Sequence, residues 1–216
     1  LAYRGTEKWR GRMTSLCSTQ QLRSVSRASQ PTRESVDDTK NSAGFERVLI
    51  TEEQIAARVK ELAAQVDRDY AGQDLLLVGV LKGAMMIMAD LSRELTTPVE
   101  IDWMAVSSYG SGVTSSGVVR ILKDLDISIE GRNVLIVEDV LDSGLTLRWL
   151  VRSLQARAPK SLKLLTLLRK PEAVQNKVDV EYVGFDIGYD FVVGYGMDWN
   201  EKLRNLRDIA VLNPDI

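Results

Sequence analysis

Three carboxylates fall within five residues at Glu138, Asp139 and Asp142, and Ser143, Gly144, Leu145 and Thr146 follow at once. Charged acids this close repel one another, so their tolerance points to facing donors or a cation. The stretch Asp142–Thr146 offers a glycine, two hydroxyls and successive backbone N–H groups where a helix would open. Unpaired amides and the positive end of a helix together favour a phosphate. Acids able to hold hydroxyls beside a cradle for phosphate describe a site for a ribose 5-phosphate. The ordinary alternative is a strand–turn–helix whose acids only cap the helix. It accounts for any one acid and poorly for the whole string. The segment is neither a Walker loop, lacking Gly-Lys-Ser/Thr, nor a dinucleotide fingerprint, lacking Gly-x-Gly-x-x-Gly.

Composition narrows the chemistry further. The chain has no histidine and one cysteine, Cys17. That excludes Ser–His–Asp and Cys–His nucleophile activation, and argues against a zinc site. Acid–base work falls to carboxylates, Lys, Tyr or water, and any metal should be a hard cation held by oxygen. A single cysteine permits no intramolecular disulfide, so a reducing compartment and a cytoplasmic location are the expectation. The net charge of −2 gives no global basic field to attract nucleic acid. No apolar run approaches the roughly 20 residues that span a bilayer, so no membrane partner is expected.

The elements that must position the acidic string are visible in the apolar pattern. Residues 1–44 carry eight basic and four acidic side chains, are rich in Ser, Thr, Gln and Arg, and show no sustained periodicity. They are expected to be a disordered extension. A packed domain is expected over 45–216. Thr51-Glu52-Glu53-Gln54 has the form of a capping box, and Ile55, Val59, Leu62, Ala63 and Val66 make one helical face after it. The apolar run Leu75–Leu81 predicts a strand buried on both faces. A helix over Ala84–Leu95 follows, then a strand over Val99–Val106 and a mobile loop over Ser107–Val118, which is rich in Gly, Ser and Thr. Val134–Val137 predicts a buried strand ending at the acidic pair, Thr146–Ala156 a helix, and Leu162–Leu168 another strand. Short strands are expected at Val180–Phe185 and Phe191–Val193. Strands alternating with helices imply a mostly parallel α/β sheet, in which ligands bind beyond the carboxyl ends of the strands.

The string Val134–Thr146 closely resembles the phosphoribosyl-pyrophosphate signature of type I phosphoribosyltransferases: four apolar residues, two acids, two apolar residues, Asp, Ser/Thr, Gly, any residue, Thr. Leu81-Lys82-Gly83, Ser107-Ser108-Tyr109-Gly110, Leu167-Leu168-Arg169-Lys170-Pro171, Val183–Asp186 and Phe191–Asp198 narrow the resemblance to the bacterial-type hypoxanthine-guanine phosphoribosyltransferase family. It covers about residues 45–212. It implies a mostly parallel central sheet flanked by helices, with a small hood drawn from parts of 45–60 and 180–216. It also implies purine salvage: transfer of a 5-phosphoribosyl group from phosphoribosyl pyrophosphate to hypoxanthine or guanine, giving IMP or GMP and pyrophosphate. Xanthine is the nearest variant substrate.

The resemblance also implies roles. Glu138 and Asp139 would bind the ribose hydroxyls, with magnesium bridging these and the pyrophosphate and Asp198 as a second ligand. Asp142, Ser143, Gly144, Leu145 and Thr146 would hold the 5-phosphate, and Asp142 would accept the proton of purine N7. Lys82 and Gly83 would lie in the pyrophosphate loop, whose peptide is often cis in the family, and Arg204 would contact pyrophosphate. Lys170 would meet the purine 6-oxo group, Phe191 would stack on the base, and Val192 would offer backbone groups to its edge. Ser108 and Tyr109 would sit at the tip of a loop closing over the site. A homodimer or homotetramer is implied. Two other readings compete. A nucleic-acid-binding regulator would need a basic face, which the acidic residues 45–216 do not provide. A pyrimidine-specific relative is disfavoured by Lys170 and the Phe191–Asp198 segment.

Overall fold

A computed structural model describes residues 45–108, 119–174 and 176–212. The expectations for residues 1–44, for Tyr109 and for the loop over 109–118 lie outside the described residues. The elements run β1 (Phe45–Ile50), α1 (Glu52–Asp69), β2 (Leu75–Leu81), α2 (Met85–Glu94), β3 (Val99–Ser108), β4 (Val119–Lys123), β5 (Asn133–Leu141), α3 (Leu145–Gln155), β6 (Ser161–Arg169), β7 (Tyr182–Asp186), β8 (Val192–Val193) and β9 (Ile209–Leu212).

Local chemistry sets the helix starts and stops. Thr51 caps α1 by accepting from the Gln54 N–H, while the Gln54 side chain accepts from the Thr51 N–H at 2.9 Å. The stripe Ile55, Val59, Leu62, Ala63 and Val66 is buried. Just beyond α2, Asp67 of α1 accepts from the backbone N–H groups of Thr96 and Thr97, which pins the turn into β3. No helix among the described residues is long and apolar enough to cross a membrane.

Six strands form one sheet in the order β4-β3-β2-β5-β6-β7, parallel except for β4. Side chains alternate across it. Leu75 and Leu77 of β2 and Leu135 and Val137 of β5 join the core under α1 and α2. Leu76, Val78, Val134 and Ile136 join the core under α3. A second, three-stranded sheet is ordered β1-β9-β8 and is antiparallel. Ile209 and Val211 pack toward α1, and Ala210 and Leu212 toward Leu203 and Leu206.

The chain order reverses between β2 and β5, so this pair is the switch point where an open α/β sheet binds ligands. Their ladder stops at Gly79↔Val137, while β2 stays paired with β3 to Leu81↔Ala105 and β5 with β6 to Leu141↔Arg169. The sheet therefore forks at this place.

Several boundaries differ from the sequence expectation. β5 does not end at Val137. It runs through Glu138 and Asp139 because β6 keeps supplying ladder partners, Glu138↔Thr166 and Val140↔Leu168. Ser107 and Ser108 belong to β3 rather than to a loop, since β4 pairs with them at Arg120 and Val119. β1, β4 and β9 were not anticipated. β1 is crossed by two register shifts, at Phe45/Arg47 and Val48/Ile50, which break the alternation that marks a strand.

Asp102 on β3 is buried and accepts from the N–H groups of Trp103 and Asp126 at 2.7 and 2.8 Å, with the Lys123 ammonium beside it. Burial pushes its carboxyl up, but these donors and the Lys123 charge outweigh it and hold the group below its usual range. A depressed carboxyl contributes stability above the unfolded-state value, and the contribution is lost as pH falls through the folded value. Asp102→Asn should lower stability at pH 7 by roughly 1–3 kcal/mol. Urea unfolding followed from pH 7 downward should show the gap to wild type narrowing below about pH 4.

Candidate active site

The fork between β2 and β5 opens a cleft of about 350 Å³. Lys82 and Gly83, just past β2, form one wall. Glu138–Leu141 of β5 and the turn Asp142–Thr146 form the floor and the opposite wall, and Asp198 and Arg204 close it from the segment between β8 and β9. The peptide Leu81–Lys82 is cis.

Glu138 and Asp139, near the end of β5, both line the cleft. Burial pushes the Glu138 carboxyl well up, and the neighbouring Asp139 charge adds to this. The Glu138 Oε2 atom is buried with no hydrogen-bond partner. Asp139 is pushed up to about 6 by burial, although the N–H of Val140 and the Arg204 charge oppose the shift. A Cβ on Gly83 would stand 1.7 Å from Asp139 Oδ2, and one on Gly196 would stand 2.1 Å from the Gly83 carbonyl oxygen. Backbone without side chains is thus what lets the Lys82–Gly83 segment, the acidic pair and the Gly196 segment meet.

Cations line the far wall, each already facing an acid. Lys82 Nζ is 2.7 Å from Glu201 Oε2. Arg204 is 2.7 Å from Asp198 Oδ1, 3.4 Å from Glu201 Oε2, and donates to the Gly196 carbonyl at 2.8 Å. The other Asp198 oxygen accepts from the Glu201 N–H at 2.8 Å. On the near side, the Lys170 N–H donates to the Leu141 carbonyl, tying the ends of β5 and β6 together. Buried Lys170 then brings Nζ to 3.7 Å from Asp142 Oδ2.

The structure therefore gathers Lys82, Gly83, Glu138, Asp139, Asp142–Thr146, Asp198 and Arg204 around one cleft, with Lys170 joined to it through Asp142. Phe191 and Val192 stand at and just before β8 and do not line that cleft. Phe191 is half exposed and meets the half-exposed Trp199 edge-on at 5.4 Å. Ser108 ends β3, paired with Val119. Arg169, next to Lys170, is held by Asp186 at 2.7 and 2.9 Å. Two participants were missed from sequence, Glu201 and Gly196. The spacing of Glu201, three residues from both Asp198 and Arg204, was the available signal for it.

Hard oxygen donors are the right chemistry for magnesium, and an unpartnered buried carboxylate oxygen at Glu138 fits a site completed by a ligand. Among the described residues no three acids converge as a ready-made metal cluster.

Because the Asp139 carboxyl is raised, its charged form destabilises the ligand-free fold, and stability is lost as pH rises through about 6. Asp139→Asn should stabilise the ligand-free, metal-free protein at pH 7.5 by about 1–3 kcal/mol, and by roughly a third of that at pH 4.5. Denaturant unfolding at both pH values checks this.

The model of the phosphoribosyl transferase domain matches residues 49–200. A hypoxanthine-guanine phosphoribosyltransferase of Mycobacterium bovis is 58% identical over 175 residues, covering 78% of this chain and 87% of its own length. One from Bacillus subtilis is 50% identical over 172 residues, covering 80% of this chain and 96% of its own. The crystal structure of a hypoxanthine phosphoribosyltransferase from Staphylococcus aureus superposes with a TM-score of 0.78 at 45% identity, over 82% of this chain and 96% of that one. With the forked sheet and its acidic edge, these matches establish that the chain belongs to the phosphoribosyltransferase family, in its hypoxanthine-guanine branch.

Proposed function

We propose that this protein transfers the 5-phosphoribosyl group of phosphoribosyl pyrophosphate to N9 of hypoxanthine or guanine, releasing pyrophosphate. The observation that carries the base assignment is the pair of Asp142 and Lys170, 3.7 Å apart at the ends of neighbouring strands. A 6-oxopurine presents N7 and O6 side by side on one edge. An acceptor next to an ammonium complements an N7–H next to an oxo group. The ammonium has donors only, so the 6-amino group of adenine would leave a buried donor unmatched.

The chain's residues then divide the work. Asp142–Thr146 holds the 5-phosphate by backbone N–H groups at the start of α3. Glu138 and Asp139 orient the ribose hydroxyls. Lys82 and Arg204 face the pyrophosphate, and the developing charge on the leaving group is stabilised by cations already in place. The bond from ribose C1 to the pyrophosphate oxygen breaks, the bond from N9 to C1 forms, and the N7 proton passes to Asp142. Phe191 offers its exposed face to the base, and Val192 its backbone groups. Glu138, Asp139 and Asp198 are the residues assigned to magnesium and its waters. Bound with the substrate, the metal would neutralise charge on the pyrophosphate oxygens. We assign the three-stranded sheet with its connecting segment the part of a hood over the cleft. A cytoplasmic location and a homodimer or homotetramer belong to the same proposal.

Purified protein assayed with magnesium, phosphoribosyl pyrophosphate and a panel of bases should turn over hypoxanthine and guanine and leave adenine nearly untouched. Turnover of adenine or uracil alone would overturn the base assignment. Asp142→Asn should lower kcat by roughly 10²–10⁴ while KM for phosphoribosyl pyrophosphate changes only a few-fold. Unchanged turnover would remove Asp142 as the base.

A further inference from the structure

Asn176 lies in the connection between β6 and β7, outside the residues that line the cleft. It nevertheless grips the phosphate turn from behind. Its backbone N–H donates to the Ser143 carbonyl at 3.1 Å, and its side-chain Nδ2 donates to the same oxygen at 3.4 Å. Its Oδ1 accepts from Arg148 Nη1 at 3.1 Å. A guanidinium donates and cannot accept, so the atom facing Arg148 must be the amide oxygen, which leaves the amide nitrogen for Ser143. Arg148 is itself fixed to the turn, its N–H bonding the Gly144 carbonyl at 2.9 Å as α3 begins.

The consequence follows from peptide geometry. In a planar trans peptide the C=O and the following N–H point in opposite directions. A Ser143 carbonyl held toward Asn176 therefore turns the Gly144 N–H the other way, to the cleft side of the turn. Gly144 has φ +77°, and a Cβ there would come within 2.5 Å of the Asn176 carbonyl oxygen. Nothing in the glycine's own sterics prevents this peptide from turning over, since glycine accepts either sign of φ. The N-cap residue, Gly144, has no side chain to cap the helix, and the local side-chain bond in the turn is long, Leu145 N–H to Ser143 Oγ at 3.5 Å.

We propose that Asn176 is a positioning residue for the phosphate cradle. With Arg148 fixing its amide, it locks the Ser143–Gly144 peptide in the orientation that presents the Gly144 N–H to a ligand phosphate. The inference rests on the reading of Asp142–Thr146 as the 5-phosphate site. It predicts a loss confined to ligands bearing a 5-phosphate.

The test uses full-length protein, wild type, Asn176→Ala and Asn176→Asp, titrated calorimetrically with guanosine 5′-monophosphate and separately with magnesium pyrophosphate. Asn176→Ala removes the side-chain donor. Asn176→Asp keeps the size and the Arg148 contact but turns an acceptor on the Ser143 carbonyl. Both should weaken nucleotide binding, Asn176→Ala by about three- to tenfold. Pyrophosphate affinity should stay within about twofold and the thermal midpoint should hardly move. In wild type the Gly144 amide proton should shift on adding nucleotide, and in the variants that shift should shrink. Wild-type affinity for nucleotide in both variants overturns the clamp. So does an equal loss for nucleotide and pyrophosphate, which would mark general support of the fold. If wild type itself binds no nucleotide, the phosphate-site reading fails and takes the clamp with it.

Discussion

Everything at the site depends on one interrupted ladder. β2 and β5 are hydrogen-bonded neighbours up to Gly79 and Val137 and then part, while each remains bonded to its outer neighbour. A continuous sheet has no room for a ligand at its edge. A forked one has two strand ends diverging around a gap, with unpaired backbone facing inward. The reversal of chain order at this pair sends the connections from the two strands to opposite faces, so no helix fills the opening. The cis peptide at Leu81–Lys82 and the turn at Asp142–Thr146 are the two lips of this fork.

The fork also determines the electrostatics. Running β5 on to Leu141 places two acids where strand residues are usually apolar, and one of them has a carboxylate oxygen with no partner. Such an arrangement is costly in the empty protein and is the kind of stability–function conflict expected where a ligand must be bound. On the opposite wall the problem is solved differently. Lys82 and Arg204 each face an acid of the chain, Glu201 and Asp198, so their charges are compensated before any substrate arrives. One wall is left short of partners and the other is supplied with its own.

Much of this was legible in the sequence because the residues involved are contiguous. The acidic pair, Asp142 and the turn through Thr146 sit in one unbroken string, and its apolar approach fixes the strand. The capping box at Thr51–Gln54 and the buried run Leu75–Leu81 were equally local, and both formed as the pattern required. What escaped was non-local or patterned against type. β1 carries two register shifts, β9 is four residues long, and they are held by pairing across the molecule, β1 with β9 and β9 also with β8. The extension of β5 through its acids depended on β6 continuing alongside, which no periodicity in β5 reveals. Glu201 and Asn176 lie in irregular segments, and Lys82, which meets Glu201, and Ser143, which meets Asn176, are far away in sequence.

The pairing of β1 with β9 bears on when the protein becomes competent during its synthesis. The six-stranded sheet is complete in the chain by Asp186, whereas the three-stranded sheet must close a loop from Phe45–Ile50 to Ile209–Leu212. Long closures are entropically expensive and slow to form. Asp198 and Arg204 lie in the stretch that this closure immobilises, between β8 and β9. A nascent chain would therefore build the acidic strand and the Asp142–Thr146 turn early and acquire the Asp198 and Arg204 wall last. An incomplete chain would own one side of the cleft long before the other side existed to close it.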